Sequence, residues 1–397
     1  MSQIDDSSPV GQIAGSEQGR RRPSRRGWML IASALTTGAL LAVALLLPVP
    51  FVKMAPGPTF NVIGEADGQP VIQISGAQTY PVTGNLDMTT VLESGGPRGG
   101  LTLVDAVASW LDPSSAVVPR ELLFPDDISG EEVRTQQAAL FNTSESNAIA
   151  AALNNLGLPV RTTVVVDAVY SDTPADGAFE ARDEIISVDG VPVTSPSEVV
   201  DAVRSKPVGT ALEFTVRRED ASQADVDSAD PEATVGGEGP APTRIEQTVK
   251  VTTADNPDDP GTPVIGIGVS LLYAAEFPID FTLEDVGGPS AGQMFAIGLI
   301  DKLSPGDLAG GQHIAGTGTI TPEGQVGPIG GIRQKLAGAR NAGATLFLMP
   351  AQHCQEAEGH IPDGLTVVPV TTLDEGVTAI ENFVAGTPVV TCPLDAA

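Results

Sequence analysis

Residues 316–350 read GTGTITPEGQVGPIGGIRQKLAGARNAGATLFLMP and combine strand, turn and helix patterns within 35 residues. β-Rich runs bounded by glycine and proline predict a strand over 316–321, a turn at 322–324 and a short strand ending at Val326. After the glycine turn at 327–331, the apolar spacing predicts a helix over 332–342, and a buried strand follows at 345–349. Lys335 falls among Ile332, Leu336 and Ala339, on or beside the apolar face of the helix. Such a lysine either extends its amine to solvent or is desolvated.

A second motif precedes this stretch, at 287–303, and reads GGPSAGQMFAIGLIDKL. Ser290 lies between small residues, and an apolar-periodic helix begins directly after it. We expect Gly288, Ala291 and Gly292 to let a substrate backbone approach closely. The free N–H groups of the helix N-terminus suit a developing oxyanion. On its own the motif also fits a glycine-rich turn without chemistry.

The letters around Ser290 fit G-x-S-x-G too, the nucleophile elbow of α/β-hydrolase esterases. That fold needs an acid and then a histidine after the serine, and His313, His353 and His360 do follow. None of them lies in a loop that follows a strand and an acid.

A serine–lysine pair needs no histidine, but its amine must be neutral to accept the serine proton. Lowering a lysine pKa by about 3 units costs about 4 kcal/mol, which burial can supply.

Taken together, the two motifs resemble the proteolytic domain of the Lon protease family of Ser–Lys peptidases, over about 260–390. The resemblance implies an α+β domain with Ser290 as nucleophile, Lys335 as base and Thr317 as a support for the lysine. Arg333 matches the first basic position of the helix motif and is not the base. Gly287 and Thr319 depart from the family pattern, which often has aspartate and glutamate there. The resemblance also implies an oligomer, since such domains often form hexameric rings.

The ATPase module of Lon carries a G-x-x-x-x-G-K-[ST] loop, and this sequence contains no such loop. We therefore expect hydrolysis without ATP and without any other cofactor.

Residues 158–255 have the pattern of a mostly β, PDZ-like domain as found in bacterial envelope proteases. The matching positions are Pro174, Ala175, Gly177, Asp183, Ile185, Ile186, Val188, Asp189 and Gly190. A peptide ligand would add as a strand, with its carboxylate near 157–160, although Pro159 has no N–H to offer. A structural role without peptide binding is equally compatible. The acidic insert 219–243 is expected to be disordered, and its carboxylates lack the spacing of a calcium loop.

Residues 28–47 form an uncharged apolar run long enough for a transmembrane helix. The tail at 1–27 carries a basic cluster, Arg20, Arg21, Arg22, Arg25 and Arg26, which places the N-terminus in the cytoplasm and the rest of the chain outside it. A cleaved signal peptide is the alternative, but no A-x-A site follows the run. The expected localisation is the cell membrane, with a single-pass anchor.

Residues 51–157 are expected to form a separate mixed α/β juxtamembrane domain that carries no chemistry. Its strands are predicted at 71–76 and 84–91, and its helices at 101–111 and 131–157.

The formal net charge of −29 excludes a nucleic-acid-coating surface. The two cysteines, Cys354 and Cys392, are too few for a disulfide framework, and we expect them to be unpaired. No spacing indicates a metal site.

The sequence thus predicts a multidomain chain with an N-terminal transmembrane helix, a mixed α/β region, a PDZ-like domain and a C-terminal Lon-type proteolytic domain. The predicted function is ATP-independent serine endopeptidase activity on unfolded or flexible polypeptides outside the cytoplasm. Two alternatives stay open, a catalytically silent PDZ-containing envelope adaptor and an α/β-hydrolase esterase.

Overall fold

The structure is a computed structural model that describes residues 24–96, 100–124, 130–219, 244–257, 259–283 and 286–392. Arginines 20–22 of the basic cluster and nearly all of the acidic insert, from residue 220 to 243, lie outside the described residues.

The described helices are α1 Arg25–Leu46, α2 Leu103–Leu111, α3 Gly130–Leu156, α4 Pro196–Arg204, α5 Gly292–Leu303, α6 Ile332–Ala342, α7 Cys354–Ala357 and α8 Leu373–Val384. The strands are β1 Pro48–Val49, β2 Phe51–Asn61, β3 Glu65–Ala66, β4 Gln69–Pro70, β5 Ile72–Ile74, β6 Asn85–Ser94, β7 Leu101–Thr102, β8 Ala116–Pro119, β9 Arg161–Val169, β10 Glu184–Val188, β11 Val191–Pro192, β12 Ala211–Glu219, β13 Arg244–Thr252, β14 Ala254–Asn256, β15 Asp259–Val264, β16 Ile267–Ala274, β17 Ile279–Phe281, β18 His313–Gly316, β19 Thr319–Ile320, β20 Val326–Gly327, β21 Leu346–Pro350 and β22 Thr366–Val370.

The N-terminal helix α1 covers nearly all of the predicted apolar run. It has 22 residues, none of them buried, and a mean hydropathy of 2.2 over its most apolar window. The Ser24 side chain accepts a hydrogen bond from the Gly27 N–H at its start, and Pro48 follows its end. Within the described ranges it is the one helix long and apolar enough to cross a membrane.

The central sheet has six strands in the order β22–β21–β18–β6–β2–β8. Strands β22, β21, β18 and β6 run parallel, while β2 and β8 pair antiparallel at the other edge. Helix α5 packs on β6 and β18 of the sheet, and α3 packs on α5, with the rings of Phe141 and Phe295 5.6 Å apart. The core beneath them is continuous and contains residues from 62 to 380.

This sheet joins the predicted juxtamembrane domain to the predicted proteolytic domain. Strand β6 lies directly beside β18, with Asn85 opposite His313 and Met88 opposite Gly316. The residues between 51 and 156 therefore do not form a core of their own, in contrast to the separate domain expected at 51–157. Each segment contributes three strands to the sheet, and neither set buries its apolar surface without the other layer of the core.

A second sheet, ordered β13–β12–β10–β9–β16, occupies the region expected to be PDZ-like. Helix α4 begins with a capping box formed by Ser195 and Glu198, and it buries Val199 and Val203 against this sheet. The domain extends beyond the predicted residue 255, because β16 pairs with β9 along its length.

The pairing of β9 corrects the predicted position of the peptide site. Gly157, at φ 67°, ends α3 as expected, and 158–160 lead directly into β9. Strand β9 already has β10 and β16 on its two sides, so no peptide can add there. The free edge beside α4 belongs to β16.

Cys354 and Cys392 form a disulfide bond, which corrects the expectation that they are unpaired. The chain brings them together through the core that α6 shares with β21 and β22, a contact that sequence spacing does not reveal.

Candidate active site

Lys335 lies in the second turn of α6, on the face that packs against β2 and β6. The helix starts at Gly331, whose φ of 71° places it in the left-handed region. A Cβ there would come within 2.7 Å of Val91 Cγ2, so glycine lets the helix begin directly against β6. Ile332, Leu336 and Ala339 fill the core beside it. The Lys335 side chain is consequently buried, at 2% exposure.

The Lys335 amine has three oxygen neighbours. Its Nζ lies 2.8 Å from Ser290 Oγ, 2.7 Å from the carbonyl oxygen of Thr89 and 3.0 Å from Thr317 Oγ1. Thr317 directly follows β18, and Thr89 belongs to the neighbouring strand β6, which explains how both reach the amine. The three residues implied by the resemblance are thus in mutual contact.

Burial lowers the pKa of Lys335 to about 7. The cause is the cost of keeping an ammonium group in a poorly solvated site. A substantial share of the amine is therefore neutral near neutral pH, as a general base requires.

The Ser290 segment is held on both sides by backbone contacts. The Ser290 carbonyl accepts hydrogen bonds from the Gly318 N–H, at 3.0 Å, and from the Thr317 hydroxyl, at 3.1 Å. On the other side, α3 contributes the Gln137 carbonyl, which accepts from the Gly288 N–H, and the Ser144 hydroxyl, which donates to the Pro289 carbonyl. These bonds fix the backbone around the serine.

Ser290 and Ala291 lie at the N-terminus of α5. In the part of the chain that the structure describes, the N–H groups of Ser290 and Ala291 have no intramolecular acceptor. The positive end of the α5 dipole points the same way. Both features suit an oxyanion beside Ser290 Oγ.

An open cleft of about 590 Å³ leads to Ser290 and Lys335. Much of its lining is apolar, from β2, β6, α3 and the segments around the serine: Met54, Phe60, Met88, Leu92, Phe141, Val286 and Ile329. Such a surface can accept the side chains of an extended polypeptide.

The three small residues around the serine have different surroundings. Gly288, at φ 84°, and Ala291 line the cleft. Gly292 is buried instead, and a Cβ there would meet Ile320 Cγ2 and Ser144 Oγ, each at 2.7 Å. Its small size lets α3 and α5 pack closely and does not serve substrate approach, in contrast to the expectation.

The two departures from the family pattern both line the cleft. A Cβ at Gly287 would lie 2.9 Å from the Cβ of Gln137. The approach of α3 therefore excludes an aspartate at that position. Thr319 is half-buried in β19.

None of the three histidines is a partner of Ser290. His313 Nε2 contacts Asp87, His353 Nε2 accepts from the Ile329 N–H, and His360 Nδ1 contacts the carbonyl of Glu358. The basic group beside the serine is Lys335, so the esterase alternative lacks its histidine. Among the described residues no cluster of metal-ligating side chains occurs.

Sequence reasoning did not identify Thr89, Gln137 or Ser144 as parts of the site. Thr89 and Gln137 act through backbone carbonyls, which give no residue-type signal. Ser144 lies 146 positions before Ser290 in a helix whose other serine and threonine hydroxyls serve different partners.

Two families match the chain. Residues 284–381 match the Lon protease (S16) C-terminal proteolytic domain, and residues 141–227 match the PDZ domain. The first match contains Ser290, Thr317 and Lys335.

Similar proteins include Lon protease 2 of Herpetosiphon aurantiacus, 40% identical over 92 residues, which are 22% of this chain and 11% of that protein. The Lon protease of Escherichia coli K12 is 37% identical over 109 residues, 26% of this chain and 14% of that protein. The chain thus matches only about a seventh or less of the length of these relatives.

Among solved structures, the PDZ domain of the SdrC-like protein from Listeria monocytogenes is 23% identical, with a TM-score of 0.19, and the match covers 27% of this chain and 86% of that one. The corresponding domain from Listeria innocua is 27% identical, with a TM-score of 0.19, and covers 27% and 92%.

Proposed function

We propose that this chain, which carries a PDZ domain and a Lon-type C-terminal proteolytic domain, is a serine endopeptidase with Ser290 as nucleophile and Lys335 as general base. The observation that carries the proposal is the buried Lys335 Nζ, 2.8 Å from Ser290 Oγ at the end of an open cleft. A lysine that only stabilised the fold would not need a serine hydroxyl exposed to a cleft.

As an ammonium, Lys335 can donate to all three of its oxygen neighbours. In the neutral form that we propose for the reactive state, two N–H groups donate to the Thr89 carbonyl and to Thr317 Oγ1, and the nitrogen lone pair accepts the Ser290 hydroxyl. As Ser290 Oγ attacks a peptide carbonyl, its proton passes to Nζ. The ammonium formed then donates to the leaving amine, and the acyl group stays on Ser290.

The tetrahedral oxyanion would be bound by the free N–H groups at the start of α5. Donors already in place require no reorganisation in the transition state, and removing one such donor typically costs about 10²–10³-fold in rate. Water then hydrolyses the acyl-enzyme, with Lys335 again accepting a proton.

We further propose that substrates are unfolded or flexible polypeptides and that cleavage needs no ATP. The cleft is open along an apolar wall, and the families that match the chain are a PDZ domain and a proteolytic domain. A folded substrate would first have to lose its structure, because the dyad lies within the cleft and Lys335 is buried.

The proposed location is the cell membrane, with α1 as a single-pass anchor and the remaining domains outside the cytoplasm. Arg25 and Arg26 lie at the start of α1, as the positive-inside rule requires. A disulfide between Cys354 and Cys392 agrees with an oxidising compartment. A homo-oligomer is proposed on the family resemblance alone.

The PDZ domain is proposed to bind a polypeptide segment along β16. One edge of this strand pairs with no described strand and lies beside α4, so an added strand could pair with it up to Tyr273, whose N–H and carbonyl bond to Ser146 of α3. The same edge supports the second candidate function, an envelope adaptor that binds peptides without cleaving them.

Cleavage of an unfolded protein by the full chain, without ATP, separates these functions. Wild type and Arg333→Ala should cleave, since Arg333 lies exposed on α6 two residues before the base. Ser290→Ala and Lys335→Met should be inactive, and the methionine fills the buried volume of the lysine stem. Retained cleavage by Lys335→Met would exclude the dyad, and absence of cleavage by every form would favour the adaptor.

A further inference from the structure

The short helix α2 has an unusual distribution of side chains for a surface helix. Its inward positions are small, with Ala106 at 7% and Ser109 at 3% exposure. Its large apolar side chains face outward: Leu103, Val104, Val107, Trp110 and Leu111, with Trp110 77% exposed. An amphipathic helix of a soluble protein has the opposite arrangement.

These five apolar residues, which we call the α2 face, form one continuous stripe. At 3.6 residues per turn they occupy an arc of about 120°. Asp105 lies on the other side of the helix, and Asp112 follows its end. The stripe is therefore a single surface and not a set of scattered exposed residues.

Hydrogen bonds at both ends of α2 hold the helix in place, although no protein side chain covers the α2 face in the described part of the chain. The Thr102 hydroxyl accepts from the Asp105 N–H at the start. At the end, Asp112 accepts hydrogen bonds from Ser114 and Ser115, which lower the pKa of its carboxyl. The α2 face is thus presented by a fixed helix.

The position of α2 indicates what covers this face. Helix α1 ends at Leu46, and β1, which follows it, pairs with β7 immediately before α2, with Pro48 opposite Thr102 and Val49 opposite Leu101. A Cβ at Gly100 would lie 2.7 Å from the Cβ of Pro48, which shows how closely the two segments approach. Helix α2 also contacts α1 itself. The α2 face therefore begins where the apolar helix ends.

A further exposed apolar side chain lies at the same end of the molecule. Leu122, 74% exposed, follows β8, whose Pro119 pairs with Phe51 just after β1. The apolar surface around the end of α1 thus extends beyond α2.

We propose that the α2 face lies in the interfacial layer of the lipid bilayer that α1 spans. The face is continuous with the membrane-spanning helix, carries no charge, and has a tryptophan at its outer end, a residue enriched at membrane interfaces. The contact fixes the orientation of the proteolytic domain over the bilayer, since a single helix would leave the domain free to tilt. This proposal rests on the membrane anchor proposed above and not on the peptidase chemistry.

Tryptophan fluorescence of the full chain in phosphatidylcholine–phosphatidylglycerol vesicles tests the proposal, because Trp28 and Trp110 are the only two tryptophans. In Trp28→Phe, Trp110 alone emits. Its emission should be blue-shifted and should lose roughly half its intensity or more when the vesicles carry lipids brominated near the headgroup, as expected for interfacial insertion. Aqueous iodide should quench it weakly.

A matched control places the single tryptophan at another position whose native side chain is apolar and exposed. Val390 is 78% exposed and lies near Cys392, beside β21 and β22 at the far edge of the central sheet from β2. In Trp28→Phe/Trp110→Phe/Val390→Trp, iodide should quench strongly and brominated lipids should not. In Trp110→Phe, Trp28 reports separately whether α1 is inserted.

Two results would overturn the proposal while leaving the anchor intact. If Trp28 is quenched by brominated lipid and Trp110 responds to iodide like the Val390 reporter, the α2 face is in water. If Trp110 is blue-shifted but insensitive to both quenchers, protein covers the face, as in contact with a second copy of the chain.

Discussion

Thr317 connects the residues of the proposed dyad, because its hydroxyl accepts a hydrogen bond from Lys335 Nζ and donates one to the Ser290 carbonyl. Replacement by valine keeps the shape but removes one acceptor from the amine. We expect kcat/KM to fall about tenfold, the equivalent of one lost hydrogen bond to a charged or reacting group. The midpoint of the pH–rate profile, expected near pH 7 in the wild type, should move to lower pH because the ammonium is further destabilised.

Thr317→Ser is the matched control and should restore both the rate and the midpoint. A valine variant whose rate falls while its pH profile stays unchanged would contradict a role at the lysine and indicate a packing defect.

Lys335 also affects stability in a predictable direction. Burial lowers its pKa to about 7, below the value of the unfolded chain, so the unfolded state binds the additional proton between about pH 7 and 10. The proteolytic domain should therefore become more stable as pH rises, by about 2 kcal/mol from pH 7 to 9. Denaturant unfolding of Lys335→Met should lack this component, while Arg333→Met should retain it. Equal pH slopes in wild type and Lys335→Met would show that the lysine is not desolvated.

The sequence pointed to the two side chains that are proposed to react, and it missed their backbone partners. Ser290 stands out through its small neighbours and Lys335 through its place on an apolar helix face, so side-chain type carried the signal. The carbonyls of Thr89 and Gln137 have no such signal, since every residue has one. Gly292 was misassigned because a glycine near a nucleophile can serve either substrate approach or helix packing.

Helix α3 connects the PDZ sheet to the serine segment. Its Ser144 hydroxyl donates to the Pro289 carbonyl, while two residues on, the Ser146 hydroxyl accepts from the Tyr273 N–H and donates to the Tyr273 carbonyl in β16. Asn147 continues the contacts through the carbonyl of Ile320. One helix thus contacts both β16 and the residue before Ser290.

Ser144→Ala should lower kcat with little change in KM, because the serine segment loses one of its two contacts with α3. A loss of about 1 kcal/mol corresponds to a rate about fivefold lower. Thr143→Ala on the same helix removes only a hydroxyl that bonds within α3 to the Ala139 carbonyl, and it should leave kcat unchanged. Steady-state kinetics of the two variants test this prediction. An equal fall in kcat in both variants would exclude a specific role for Ser144.

Local sequence patterns predicted where helices begin and end, but they did not predict which strands pair with each other. Helix α6 begins and ends where its apolar spacing and glycines predicted, at Ile332 and Ala342. The pairing of β6 with β18 joins residues 228 positions apart, as for Asn85 and His313, and no local pattern specifies such a neighbour. For the same reason, the peptide edge was placed near 157–160 and not at β16.

The disulfide between Cys354 and Cys392 closes a loop of 38 residues around the edge of the central sheet. A loop of this length should contribute about 3–4 kcal/mol to stability in the chain-entropy account. Cys392→Ser should lower the melting temperature of the proteolytic domain, and a reductant should lower that of the wild type to the same value. Alkylation followed by mass spectrometry should find no free thiol in the native chain. Two alkylated cysteines without reduction would contradict the bond.

For the whole molecule, the predicted multidomain architecture is confirmed: the chain has an apolar N-terminal helix, a PDZ domain and a Lon-type proteolytic domain with mixed α/β content. The sequence could not show that residues 51–156 complete the proteolytic core, with the PDZ domain placed between its two halves. In that arrangement β2 and β6, which lie between the apolar N-terminal helix and the PDZ domain in the chain, also line the cleft.

Activation of Ser290 by Lys335 can be measured by reacting the full chain with a fluorophosphonate probe and following the rate of adduct formation at Ser290 by peptide mass spectrometry. We predict a single adduct on Ser290, a rate that rises with a midpoint near pH 7, and no adduct in Lys335→Met. Labelling of Ser290 in Lys335→Met at the wild-type rate, or an adduct on a different serine, would contradict the account.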